Sequence, residues 1–178
     1  MSNIMGRPCA IPVNEGVEER IDVNAVLGIL YKRYAEEVLQ WYHYYVVSGF
    51  MMGRERPSVE KSFSAMADDE LNDHASKLLK RISELGGDIE TVKDINTLSA
   101  LSECTYAIPT KPYDTRQLVT MNIEHERCAI KGYEELCDLT RGKDDTTYEM
   151  AAAILADEEE HLQELRDYLA DIEANNIM

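Results

Sequence analysis

The chain has 178 residues, with 18 basic and 34 acidic side chains and a formal charge of −16. With that balance nucleic acid is not expected as a partner: phosphate binding needs a basic surface or arm, and the N-terminus offers only Arg7 before Arg20. No 18-residue apolar run is present to span a membrane, and 44% hydrophobic residues with five prolines and nine glycines suit one all-helical domain. The start lacks an apolar signal core, so the expected location is cytoplasmic. The four cysteines, Cys9, Cys104, Cys128 and Cys137, are then thiols or a redox pair rather than a structural framework.

A tail over 1–21 precedes the first helix, which Asp22 caps and which runs to about Gly53. Its inward face carries Val23, Val26, Leu27, Leu30, Tyr34, Glu37, Trp41, Tyr44 and Ser48. The link Arg54-Glu55-Arg56-Pro57-Ser58 opens a second helix with Phe63, Ala67, Glu70, His74, Leu78, Ile82 and Leu85 on one face, ended by Gly86-Gly87. Residues 88–113 read as a long crossover with a short helix near Leu98–Leu101. Asp114-x-x-Gln117 starts the third helix, whose face holds Leu118, Asn122, Glu126, Ala129, Ile130, Tyr133 and Cys137. After the turn Arg141–Asp145, Thr146-x-x-Glu149 is expected to start the fourth, ending near 173 before a 174–178 tail. Two short links around one long crossover predict an all-α, ferritin-like four-helix bundle over 22–173.

The chemistry is concentrated in Glu158-Glu159-Glu160-His161. Glu158 and His161 fall on the apolar stripe that runs from Ala151 through Ile154, Leu155, Leu162, Leu165 and Leu169 to Ile172, so both point inward. Burying an unpartnered polar group costs roughly 2–7 kcal/mol, and a bound cation removes that cost. Glu37, Glu70 and Glu126 do the same on the other helices, which is the ligand pattern of carboxylate-bridged two-metal bundles. In the second helix a Glu-x-x-His spacing would fall on Asp73, but His74 is in step with Ala67, Glu70, Leu78 and Ile82. His74 is therefore the expected ligand and Asp73 the reserve, with a π-bulge as the device that would turn Asp73 inward instead.

On Ala35-Glu36-Glu37 with Tyr44, Asp69-Glu70-Leu71-Asn72-Asp73-His74, Glu126-Arg127-Cys128-Ala129-Ile130 and Asp157-Glu158-Glu159-Glu160-His161, the chain resembles the ferritin superfamily. The likeness is nearest to bacterioferritin-related, Dps-like proteins called thioferritins. The resemblance implies a di-iron ferroxidase centre of Glu37, Glu70, His74, Glu126, Glu158 and His161 in each subunit of a hollow homododecamer. It implies Fe(II) oxidation, preferentially by hydrogen peroxide, with storage of the ferric mineral. Leu71 stands where haem-binding bacterioferritins carry Met, so haem is not expected, and the 17 residues after His161 are too few for the extra helix of larger cages. The resemblance also places Cys104 and Cys128 as a pair beside the metals, while two unrelated buried thiols remain the other reading.

Four carboxylates balance the four positive charges of two divalent ions, and oxygen and imidazole donors suit Fe, Mn or Zn. Glu70 and Glu158, each sharing a helix with a His, are the expected bridges, and Glu37 and Glu126 the terminal carboxylates. Trp41 and Tyr44 either scavenge a stray oxidising equivalent or pack the core. His43 and His125 are expected to face solvent or a neighbouring subunit, Glu36, Glu124, Glu159, Glu160 and Glu164 to be solvated, and Cys137 to be core. The alternatives are a rubrerythrin-like peroxidase without storage, which the absence of a Cys-x-x-Cys pair disfavours, and an acidic helical scaffold with structural metal.

Overall fold

The computed structural model describes residues 16, 17, 19–109 and 114–175. Cys9, most of the 1–21 segment, Pro112 and residues 176–178 of the expected C-terminal tail lie outside them. Helix α1 spans Val23–Phe50, and the Asp22 carboxylate accepts from the N–H groups of Asn24 (3.0 Å) and Ala25 (3.2 Å). Two of the first-turn donors that a helix cannot satisfy internally are thereby bonded. The helix stops before Gly53 because Met51, fully buried, leaves the helical path at φ −57 and ψ 140 to enter the core.

The second rod is continuous from Arg56 to Glu84 in three parts: α2 (Arg56–Asp68), a π-helical stretch (Asp69–Ala75) and α3 (Ser76–Glu84). Pro57 sits in its first turn, where its missing N–H is harmless. At the far end Gly86 takes φ +78, and the N–H groups of Gly86 and Gly87 reach back to the carbonyls of Ser83 (3.1 Å) and Ile82 (2.9 Å). This paired closure satisfies orphan carbonyls and needs the left-handed residue that glycine supplies. The crossover then carries a 3-10 turn (Ile89–Thr91) and the short helix α4 (Ile95–Leu101), capped by Asp94 and packed on α1.

Helix α5 (Thr115–Thr140) begins under Asp114, which accepts from the Gln117 N–H at 3.0 Å. Helix α6 runs Asp145–Asn175, and here the expected start is corrected. Asp144, not Thr146, accepts the Thr147 N–H (3.2 Å); Thr146 is exposed. A buried arginine, Arg81, holds Asp144 in place, so a tertiary contact selects the cap.

The described residues form helices and no strand, and none of the helices is long and apolar enough to cross a membrane. The four rods enclose two apolar plugs. One contains Tyr44, Val47, Met51, Phe63, Met66, Leu118 and Leu165, and the other Val26, Leu30, Leu78, Ile82, Tyr133, Leu136 and Ile154. Between the plugs lies a layer of buried carboxylates.

Candidate metal centre

Each rod sends one glutamate into that layer. Glu37 from α1, Glu70 from the π stretch, Glu126 from α5 and Glu158 from α6 are all buried, as are His74 and His161. Their ligand atoms form two overlapping groups within 4.8 Å: Glu37, Glu70, His74 and Glu158, and Glu70, Glu126, Glu158 and His161. Glu70 and Glu158 belong to both groups. The layer therefore offers two adjacent cation positions that share two carboxylates.

The two Glu/His pairs have different spacings, three residues in α6 and four in the second rod, and local structure accounts for the difference. In α6, a regular helix, positions three apart share a face. In the π stretch the wider i→i+5 turn brings positions four apart into register, so His74 lies 3.1 Å from Glu70. The π stretch does not turn Asp73 inward. Asp73 is half-exposed and paired with Lys77; it belongs to neither four-residue group, although its carboxylate lies within 4.8 Å of ligand atoms of His74 and Asp157.

The electrostatics are those of anions crowded around protons. His74 Nδ1 lies 3.1 Å from Glu70, 3.2 Å from Glu158 and 3.4 Å from Glu37. Burial alone would lower its pKa, but those three carboxylates push it far above the ordinary imidazole value. His161 behaves likewise: against the effect of burial, Glu158 and Glu70 push it up to about 12. Burial, then the charges of Glu158 and Glu70, raise Glu37 and Glu126 well above the usual carboxylate range. Glu70 goes the other way, since the neighbouring Glu37, His161 and His74 side chains outweigh its burial.

The protonated imidazoles thus stand where cations would be. Glu37 Oε2 and both Glu158 oxygens are buried without an aligned hydrogen-bond partner, so converging lone pairs remain for a cation. Oxygen and imidazole donors of this kind fit iron, manganese or zinc. Each outer ring nitrogen faces an aspartate from the opposite rod: His74 Nε2 is 3.4 Å from Asp157, and His161 Nε2 is 3.5 Å from Asp69. A metal-binding imidazole commonly directs its second nitrogen to a carboxylate in this way.

Further residues hold the carboxylates. The Tyr44 hydroxyl donates to Glu126 and the Tyr133 hydroxyl to Glu37, and burial raises both phenols well above their ordinary pKa. Gln40 Nε2 donates to Glu126 (2.8 Å) and Glu70 (3.2 Å), while its oxygen accepts from Tyr106 of the crossover (3.2 Å). Sequence reasoning did not assign these roles. One signal was present for the outer aspartates: Asp69-Glu70 and Asp157-Glu158 repeat the same dipeptide on the two His-bearing rods. Another was Gln40, a polar residue three positions from Glu37.

Three sequence expectations are corrected. His43 and His125 do not face solvent: both are buried, with perpendicular rings 4.7 Å apart, and His125 meets the Thr105 carbonyl at 2.9 Å. Burial, with its His125 neighbour, lowers His43 to about 3, and burial lowers His125 to about 4. Glu36 is not solvated either. It is 1% exposed, 2.7 Å from Arg33 Nη1, and accepts the Glu103 N–H at 3.0 Å. Glu124, Glu159, Glu160 and Glu164 are exposed, and Cys137 is a buried free thiol. Trp41 packs against the Tyr44 plug without joining the carboxylate groups. Cys104 and Cys128 are joined by a disulfide, with Cα atoms 6.2 Å apart.

A family model for the ferritin-like domain matches residues 28–175. A DNA protection during starvation protein of Pyrococcus furiosus is 34% identical over 142 residues, covering 79% of this chain and 75% of that protein. A dodecameric thioferritin, the bacterioferritin-related protein of Bacteroides fragilis, is 38% identical with a TM-score of 0.85, over 90% of this chain and 93% of that one. Dps from Thermosynechococcus elongatus shares the fold at 16% identity and a TM-score of 0.75, over 82% and 90% of the two chains. The family match extends from the second turn of α1 to the end of α6, and on it this chain belongs to the ferritin-like family.

Proposed function

We propose that this protein is a ferroxidase that oxidises Fe(II) in the mid-bundle cluster and retains the ferric product inside a homododecameric shell. The observation that carries the reading is the sharing of Glu70 and Glu158 between two four-residue groups, which creates paired cation positions rather than one. In two-metal sites the ions stand roughly 3.5–4 Å apart, a span that one carboxylate can bridge. Glu37 with His74 completes one position, and Glu126 with His161 the other. The shell is proposed from likeness to the Bacteroides protein, described as dodecameric and 38% identical.

Two Fe(II) ions are the substrate, and hydrogen peroxide is the proposed oxidant. Two Fe(II), one peroxide and two protons give two Fe(III) and two waters, so electrons leave in a pair and no hydroxyl radical is required. The chain's own part is to gather and hold the reactants. Four carboxylates offset the charge of two divalent ions, and the cations displace the Nδ1 protons of His74 and His161. Asp157 and Asp69 keep the rings oriented through Nε2. Tyr44, Tyr133 and Gln40 fix the carboxylates that the metals do not themselves position. Manganese or zinc would occupy the same donors, and haem is not part of the proposal. The Cys104–Cys128 disulfide is assigned as a redox pair beside the site. We place the reaction in the cytoplasm, where thiol reductants can return the pair to the dithiol.

The test is anaerobic loading with Fe(II), addition of peroxide, and size-exclusion chromatography with iron analysis. An assembly of about a dozen chains retaining many irons per chain is expected. Two irons per chain in a small oligomer would instead identify a rubrerythrin-like peroxidase. A Glu126→Ala/Glu158→Ala variant that oxidised Fe(II) as fast as the native protein would remove the site assignment altogether.

A further inference from the structure

A second cluster lies on the other side of α1's inner edge, and none of its members belongs to the two metal groups. Glu36, Cys104 and Cys128 each offer a ligand atom within 4.8 Å of the others. We propose that, when the disulfide is reduced, these three side chains bind one thiophilic divalent cation of the zinc type. The cysteine pair would then be a gate that opens a separate metal site. This goes beyond the ferroxidase reading and does not depend on it.

Geometry permits the change. A tetrahedral zinc with Zn–S bonds of about 2.3 Å holds two sulfurs roughly 3.7 Å apart. With Cα atoms 6.2 Å apart, the two cysteines reach that separation by side-chain rotation, without movement of α5 or the crossover. Glu36 is in place as the third donor. Its Oε1 accepts the Glu103 N–H, while Oε2 is buried with no aligned hydrogen bond, although it touches Arg33 Nη1 at 2.7 Å. An oxygen lone pair is thus held beside the sulfurs and is available to a cation.

Charge gives the stronger argument. In the disulfide form Glu36 and Arg33 cancel each other in a buried setting, both only 1–2% exposed. Two thiolates would add two negative charges there, which burial opposes; one divalent cation restores neutrality with Arg33 still in place. Arg33 is packed against α5, and its Nη1 donates to the Cys128 carbonyl at 3.4 Å. It lies directly over Gly132, where a Cβ would fall 1.6 Å from Nη1. Two sulfur donors favour a soft or borderline ion, whereas the mid-bundle cluster offers only oxygen and nitrogen. Zinc fits both donor sets, but only this second site presents sulfur to it.

Access exists from outside. Cys104, Cys128, His125 and Met121 line a surface cavity to which none of the four mid-bundle glutamates contributes. A small-molecule dithiol, or two monothiols in succession, entering there would supply two electrons and two protons to the S–S bond, departing as a disulfide and leaving the protein as a dithiol. Cation binding then forms two S–metal bonds and releases the two thiol protons.

Cobalt(II) is the probe, because sulfur-to-cobalt charge transfer gives a near-ultraviolet band that the sulfur-free mid-bundle cluster cannot produce. Reduced protein, freed of reductant and titrated anaerobically, should show the band and bind about one more Co(II) per chain than oxidised protein. Zn(II) should bleach the band and protect both thiols from alkylation. Glu36→Gln should weaken Co(II) binding at this site by about tenfold or more, and Cys104→Ser should abolish the band. Absence of the band in reduced native protein overturns the proposal. An undiminished affinity in Glu36→Gln also overturns it, leaving Glu36 as a clamp for the crossover alone. Neither result bears on Fe(II) oxidation, which is measured separately.

Discussion

Two buried ionic layers cross this bundle, and they are balanced in opposite ways. Near the α5–α6 turn, Arg81 Nη2 holds both Asp144 oxygens (2.9 and 2.8 Å), its Nε reaches Thr147 (2.7 Å), and Nη1 reaches Glu84 (3.0 Å). Every charge there is answered by the protein. At mid-bundle, four glutamates face two imidazoles, and several of their atoms have no aligned partner. Arg81 and Asp144 are buried as the four glutamates are, so burial alone does not mark a functional site. What marks it is the deficit of protein cations among converging anions, which only a ligand can make good.

Removing a shared carboxylate should have the largest effect. Changes around a metal site that do not touch the metal already cost 10–100-fold, so Glu158→Ala should lower the Fe(II) oxidation rate by about 100-fold or more. Stopped-flow absorbance of the ferric product measures it. A rate within a few-fold of native would erase the distinction between the layers.

The next largest effect tests the other layer. Arg81→Met leaves Asp144 buried and unpaired, which costs about 3–5 kcal/mol. Chemical denaturation should show that loss while the protein that remains folded oxidises Fe(II) normally. If oxidation fell in step with stability, the layers would be coupled rather than independent.

The pH response sharpens the contrast. Without metal, burial and neighbouring carboxylates raise Glu37 and Glu126 above their ordinary 4.5, and the glutamates raise His74 and His161 above their ordinary 6.5. The folded chain then holds protons that the unfolded chain releases, so stability declines as pH climbs past those ordinary values. Asp144 shows the reverse sign. Despite burial, Thr147 and Arg81 hold it below 3.8, so its contribution is present above that value and is lost as pH falls further. Chelated protein should lose melting temperature between roughly pH 6 and 9, whereas zinc-loaded protein, whose ligands bind deprotonated, should not. Parallel curves for the two forms would contradict the cation deficit.

Tyr44→Phe is the mildest test. It removes the hydroxyl that donates to Glu126 and leaves the ring in the plug, so oxidation should slow by about tenfold, with about 1 kcal/mol lost in stability. No change in rate would show that metal and the other rods hold Glu126 unaided.

Much of this was legible in the sequence because helical periodicity assigns a face to every residue. Glu37, Glu70, Glu126, Glu158 and His161 stand in phase with long apolar stripes, and the structure has all five in the cluster. His74 was legible for the same reason, despite its irregular spacing: Leu78 and Ile82 share its phase. Local chemistry likewise announced the ends, as at Asp22, Asp114 and Gly86. Periodicity failed where burial came from something other than the bundle axis. Glu36, His43 and His125 lie off the stripes and are buried all the same, with crossover residues Glu103, Thr105 and Tyr106 against Glu36 and His125.

The amino-acid pattern by itself determined four rods, their inward faces and the acidic residues on those faces, because a helix repeats its geometry every few residues and the pattern can be read locally. Which rods meet, that the Asp69–Ala75 turn widens to align His74, that Asp144 rather than Thr146 caps α6, and that Glu36 lies against a disulfide were decided only in the folded chain. These outcomes depend on contacts between residues tens of positions apart. No local period encodes such contacts, and packing selects among alternatives that are locally close in energy.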